Sequence, residues 1–214
     1  MGTARKHGKT TTMTNPGKLI AFEGPDFTGK TDQAIRLSKN LDALAIPHTL
    51  TSEPTRSPLG DAVRHLCLHT PGILNETKLL LFMADRAEHY AKVIEPALEQ
   101  GHVVICDRSP YSTLAYQGYA QGLNIKAINA VQQHFVTERE PDLVILLDAE
   151  PYLLSNRVKA QDLVEADERV QQRVWEYYNF AYDFSLNWVK IDALQSRENI
   201  EREALVHTRS TINR

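Results

Sequence analysis

One short segment constrains this chain more than anything else in it. Gly24-Pro25-Asp26-Phe27-Thr28-Gly29-Lys30-Thr31 fits the spacing G-x-x-x-x-G-K-S/T. It lies between an apolar run, Lys18–Glu23, and a stretch from Thr31 to Leu44 in which Ala34, Leu37, Leu41 and Leu44 form one helical stripe. Strand, glycine-bearing loop and helix in that order make a cradle for phosphate. Gly24 and Gly29 permit backbone turns that aim the loop N–H groups, those of Phe27, Thr28 and Gly29 among them, at one anion. Lys30 adds a point charge for the β- and γ-phosphates, and the Thr31 hydroxyl can ligate Mg²⁺. The helix beginning near Lys30 contributes its positive end. The segment therefore predicts a bound nucleotide, with Gly24, Phe27, Thr28, Gly29, Lys30 and Thr31 as its contacts. It does not specify the reaction, because motors, switches and kinases share such loops.

The remainder of the chain suits one α/β domain. Its 214 residues can bury a single sizeable core, and 42% hydrophobic with 24% charged residues is the balance of a soluble globular protein. A net charge of -3 speaks against a surface built for a nucleic-acid duplex but leaves room for a small anionic substrate in a basic cleft. Two cysteines, Cys67 and Cys106, with Cys106 inside an apolar run, predict reduced thiols and a cytoplasmic setting. No apolar run approaches the ~20 residues that span a bilayer. Residues 1–17, with Arg5, Lys6, Lys9 and a run of threonines, are expected to form a disordered tail, and Met13 stands as a second candidate start.

Downstream, His48–Ser52 reads as a second strand and Pro58–Leu68 as a helix, with Glu53-Pro54 between them. Leu79, Leu80, Phe82, Met83, Ala87, Tyr90, Ala91 and Ile94 recur at helical spacing and predict one long helix over Glu76–Glu99, kinked by Pro96 in its last turn. Val103–Cys106 and Leu143–Leu147 are apolar without alternation, as central strands buried on both faces are. Helices are expected over Ser112–Gln121, Ile125–Glu138, Pro151–Lys159 and Asp167–Ser185, then a strand at Trp188–Ile191 and a closing helix from Ser196. Five strands alternating with helices predict a doubly wound parallel sheet, in which ligands lie beyond the carboxyl ends of the strands. Gly24–Thr31, Glu53–Ser57, Asp107-Arg108 and Asp148 each follow a strand, although Asp148 is expected to end its strand or cap the next helix.

Further motifs follow in order. They are Phe22-Glu23-Gly24-Pro25-Asp26 with Gly29-Lys30-Thr31, then Glu53-Pro54-Thr55-Arg56-Ser57-Pro58-Leu59-Gly60, then Phe82-Met83-Ala84-Asp85-Arg86. Asp107-Arg108-Ser109-Pro110-Tyr111-Ser112-Thr113-Leu114-Ala115-Tyr116-Gln117-Gly118 and Pro141-Asp142-Leu143 through Leu147-Asp148 complete the series. Together, over residues 18–192, they resemble the thymidylate kinase family of P-loop nucleoside monophosphate kinases. The resemblance implies Mg²⁺-dependent transfer from ATP to dTMP, giving dTDP and ADP, by a homodimer. It implies a catalytic set of Lys30, Arg108 and Asp26. Phe82 would stack on the pyrimidine while Arg86 donates to a base carbonyl. Arg108 and Arg56 would hold the acceptor phosphate, Asp26 would accept from the sugar 3′-hydroxyl, and Thr113 and Gln117 would flank base or sugar. Tyr116 would crowd the 2′ position, and Asp107 would orient Mg²⁺ beside Thr31.

The chain departs from the family at Phe27, Asp32, Ser52 and Ser109, and in the lid expected near residues 155–170, where Lys159 and Arg169 stand among Asp162, Glu165, Asp167 and Glu168. An arginine at the transition state is worth ~10³-fold or more. Low turnover, or another residue in that role, is therefore expected. The departures leave open dUMP or a modified deoxynucleotide as acceptor, or a nucleotide-binding switch with little transfer.

Overall fold

The computed structural model describes residues 16–137, 139–157 and 167–214. Five strands, β1 Lys18–Glu23, β2 His48–Ser52, β3 Val103–Asp107, β4 Leu143–Asp148 and β5 Trp188–Asp192, pair in the order β2-β3-β1-β4-β5. Every pairing is parallel. The central position of β1, flanked by β3 and β4, accounts for their uninterrupted apolar runs, since each is covered on both faces. β2 lies at an edge and is only half buried, in keeping with its polar sequence His-Thr-Leu-Thr-Ser.

Side-chain alternation along β1 sorts the core into two layers. Ile20 and Phe22 pack with Ala34, Leu37 and Leu41 of α1 (Lys30–Ala43) and with Ile200 and Ala204 of α8 (Arg197–Ile212). Ala21 faces the other way, toward Val174 and Tyr178 of α7 (Glu168–Asp183), while Leu19 meets Ile94 and Leu98. Helices thus cover both faces, as the expected doubly wound sheet requires. The connection after β1 leads outward to β2, whereas that after β3 crosses back to β4. The crevice between β1 and β3 is therefore the point where connections diverge, and the register Phe22↔Asp107 sets both loops at one level there.

α2 spans Pro58–His69 and starts on Ser57, whose hydroxyl accepts from Gly60 N at 3.0 Å. The long helix expected over Glu76–Glu99 is present but not uniform. α3, Asn75–His89, passes through a π-helical turn, Tyr90–Ile94, into α4, Glu95–Glu99. Pro96 has no N–H and would crowd the carbonyl four residues back, and the wider turn just before it relieves that conflict. Similar π-helical turns follow α5 (Pro110–Thr113) over Leu114–Ala120 and α6 (Ile125–Val131) over Gln132–Val136. A 3₁₀ segment, Pro151–Arg157, follows β4, and Asp167 caps α7 by accepting from Arg169 N at 3.0 Å. The lid expected near 155–170 falls largely outside the described residues, as does most of the expected N-terminal tail. Gly17, the last residue of that stretch, packs on the helix end: its N–H donates to Leu98 O at 3.0 Å, and a Cβ there would sit 2.3 Å from His102 O.

Candidate active site

The loop after β1 owes its shape to backbone conformations that its sequence partly announces. Gly24 (φ 141°) lies so close to β4 that a Cβ would come within 2.4 Å of Leu147 O. Gly29 (φ 94°) has open space around it and is required for its conformation alone, as the residue that opens α1. Phe27 also takes a positive φ, 65°, and its ring packs against the core layer under α1, so only its backbone faces the loop's interior. Thr28 closes the turn by donating to Pro25 O at 2.9 Å. Lys30 is 6% exposed and folds over the loop, donating to Gly24 O at 3.0 Å and Pro25 O at 2.7 Å. Burial and the nearby Arg108 push its ammonium down to about 8, against the pull of Asp26, Asp107 and Glu23. That set of neighbours places Lys30, Arg108 and both aspartates in one locality.

Thr31 and Asp107, the two residues expected to serve Mg²⁺, meet directly: the Thr31 hydroxyl donates to Asp107 Oδ2. The other carboxylate oxygen, Asp107 Oδ1, is buried without a hydrogen-bond partner among the described residues. A hydroxyl and a carboxylate with one free oxygen are the hard donors Mg²⁺ takes in nucleotide sites, so the residues present fit that ion. A second cluster does not suit a metal. Glu53, His89 and Cys106 bring ligand atoms within 4.8 Å of one another. His89, however, uses Nδ1 toward Glu53 (3.1 Å) and Nε2 toward the Thr51 hydroxyl (2.7 Å), and burial holds the Cys106 thiol protonated.

Arg108 begins the loop after β3 at φ 79°, fixed by its N–H donating to Phe22 O at 3.0 Å. Its guanidinium donates to Asp26 Oδ1 and to Ser112 Oγ (3.3 Å) and lies 5.2 Å above the Tyr116 ring. Asp26 is also held from α7. Gln171 Nε2 donates to Asp26 Oδ2 at 2.7 Å, while Asp26 N donates to Gln171 Oε1 at 3.0 Å. Burial alone would raise the Asp26 pKa, but Arg108, Lys30 and the Tyr116 hydroxyl together hold it below the ordinary carboxylate value. Beneath this pair sits Glu23, fully buried at the end of β1. It accepts from Ser109 N and Oγ (both 2.7 Å), from Ser112 N (3.2 Å) and Oγ (2.7 Å), and from Tyr178 OH (2.7 Å). Ser109, a departure from the family pattern, thus has a structural reason: its hydroxyl ties the Arg108 loop to Glu23 and caps α5.

Beyond Asp26 and Arg108 opens a cavity of about 310 Å³. Phe82, Arg86, Thr113, Tyr116 and Gln117, the residues expected to contact the substrate, line it. Arg86 is 3% exposed and largely committed to the protein. Its Nε donates to Glu53 Oε2 (2.7 Å), and its Nη atoms donate to Gln132 Oε1 (3.2 Å) and Ser109 O (3.3 Å). Arg56 is not brought to the cavity. Thr55 turns inward onto Asp85 through its N–H (2.7 Å) and hydroxyl (2.6 Å), while Arg56 and Ser57 after it are left exposed. Arg64 of α2 lines the cavity instead, beside Arg86 and Arg108, and donates to Pro54 O at 3.1 Å. Asp148 is structural, as expected, though it fastens α7 rather than capping the next helix: it accepts from Trp175 Nε1 at 2.7 Å and Asn179 Nδ2 at 3.2 Å.

Sequence reasoning missed Glu23, Arg64, Asp85 and Gln171. Glu23 and Asp85 lie inside the motifs Phe22–Asp26 and Phe82–Arg86, and a carboxylate within an apolar setting there was the available signal. Gln171 had none, its partner being 145 residues away.

Comparison with known proteins agrees with this geometry. Residues 22–204 match the family model described as thymidylate kinase. The thymidylate kinase of Cutibacterium acnes is 34% identical over 203 residues, covering 92% of this chain and 99% of that protein. That of Pseudomonas putida is 35% identical, covering 87% and 92%, and that of a Synechococcus strain is 41% identical, covering 70% and 73%. With its motifs placed on one crevice of the sheet and relatives matching nearly end to end, the chain belongs to the thymidylate kinase family.

Proposed function

We propose that this chain transfers the terminal phosphoryl group of ATP to dTMP, giving dTDP and ADP. The observation that carries this is the Arg108–Asp26 pair, which joins the inner end of the cavity to the Lys30 loop. A deoxynucleoside monophosphate seated with its base beside Phe82 would present its phosphate to Arg108, while the loop amides and Lys30 hold the triphosphate of ATP. The acceptor oxygen is already ionised near neutral pH, so no general base is needed. The protein's task is alignment and neutralisation of charge. Thr31 and Asp107 would hold Mg²⁺, which would supply charge compensation for the triphosphate. Asp26, kept ionised, would orient Arg108 and accept from the sugar hydroxyl. Among the described arginines after β4 none lines the cavity, and Arg169 has a side chain 94% exposed. Among the described residues, neutralisation beyond that of the ion therefore rests on Lys30 and Arg108.

A coupled assay over dTMP, dUMP, dCMP and dGMP with ATP and Mg²⁺ tests this. Turnover of dTMP is expected to lead, with Lys30→Ala lowering kcat by about 10³-fold. Preference for the purine would overturn the assignment of the cavity. We extend the same reading to a homodimer packed through α3, whose Leu80 is 60% exposed beside Leu74 at 68%. The two buried, free cysteines support a reducing, cytoplasmic setting. No helix among the described residues is long and apolar enough to cross a membrane.

A further inference from the structure

Resting on the functional reading above, the geometry points to Gln121 as a specificity-determining residue that hydrogen-bonds the edge of the acceptor's base. Gln121 follows the π-helical turn Leu114–Ala120, its N–H donating to Tyr116 O at 2.9 Å, and its side chain lines the cavity. Its amide oxygen is shielded from water and has no hydrogen-bond partner among the described residues. Folding strands such a group only at a cost, and a turn of the amide into the cavity, where a ligand donor meets it, would recover that cost.

Thr113, Gln117 and Gln121 recur every four residues along one wall, because the mixed α and π path returns such positions to the same face. The wall is therefore a polar stripe, and Gln121 is its far end from the phosphate-holding Arg108. Phe82, lining the same cavity, offers a ring face to the base. A primary amide presents a donor and an acceptor side by side. That pair matches the adjacent N–H and carbonyl of a 4-oxo pyrimidine, in the way glutamine pairs with base edges generally.

Two variants separate this role from a merely structural one. Gln121→Leu removes the stranded polar atom, so the ligand-free protein is expected to melt at a higher temperature, while calorimetric binding of dTMP weakens about tenfold and ATP affinity is unchanged. Gln121→Glu leaves only acceptors when ionised, and is expected to shift preference from dTMP and dUMP toward dCMP, whose exocyclic amine donates. Undiminished dTMP binding in the leucine variant, or equal losses for all three pyrimidines in the glutamate variant, would overturn the role of Gln121 while leaving the kinase reading intact. If the wild-type protein binds none of these monophosphates, the functional reading itself fails and this inference falls with it.

Discussion

Every group that faces the Glu23 carboxylate is a donor: two backbone N–H groups, two serine hydroxyls and the Tyr178 phenol. An acceptor-only side chain is needed there, and glutamine, nearly the same shape, would turn an NH₂ group against donors. Glu23→Gln is expected to cost about 2–4 kcal/mol in a urea titration, more than an isosteric change on the surface, because the stranded groups are buried. The loss should also reach catalysis. Ser112, one of the donors, also accepts from Arg108, so loosening it frees the guanidinium. A fall in kcat larger than the rise in KM is the expected signature, and wild-type kcat in a measurably destabilised variant would show that Arg108 is held without Glu23.

The elements themselves were legible where a single period runs through them. β1, β3 and β4 read directly from Lys18–Glu23, Val103–Cys106 and Leu143–Leu147, because burial on both faces demands an apolar run. The three π-helical turns were not, since widening a turn changes which residues face inward without changing composition. Site residues divided in the same way. The phosphate loop carries its own local geometry and could be read, whereas the Gln171 clamp on Asp26 depends on α7 docking from the far end of the chain. Arg56 stays outside the cavity because Thr55 before it turns onto Asp85 and leaves Arg56 exposed. α3 bears the element-scale prediction. Met83, Arg86 and His89 point inward, and Leu80 faces out. A charge there should cost the fold little but oppose pairing of two copies. Leu80→Glu is expected to convert a dimeric sedimentation profile to that of a 24.2 kDa monomer with an unchanged far-UV spectrum. A monomeric wild-type profile would sink the α3 interface.

Across the whole molecule, one buried charge network ties together elements that the sheet alone does not. Glu53, at the end of β2, holds Arg86 and His89 of α3, and Arg86 in turn reaches Gln132 beyond α6 and the Ser109 carbonyl beyond β3. Burial by itself would push the Glu53 carboxyl up, but Arg86 and His89 outweigh it and hold the pKa below its ordinary 4.5. A carboxyl whose pKa is lower in the folded state contributes stability that is fully present above the unfolded value. That contribution is lost as pH falls through the folded value. Stability should therefore hold from neutrality to about pH 5 and then drop as Glu53 is protonated and Arg86 is left buried without its counter-charge. Glu53→Gln is expected to cost about 3–5 kcal/mol at pH 7, since it breaks the pair from one side. It should also flatten the decline of the thermal midpoint below pH 4.5, because the group that titrates there is gone. Parallel acid limbs in the variant and wild-type profiles would mean that the network does not govern acid unfolding. A cost at pH 7 no larger than that of a surface substitution would mean that the Arg86 charge is already satisfied by Gln132 and the Ser109 carbonyl.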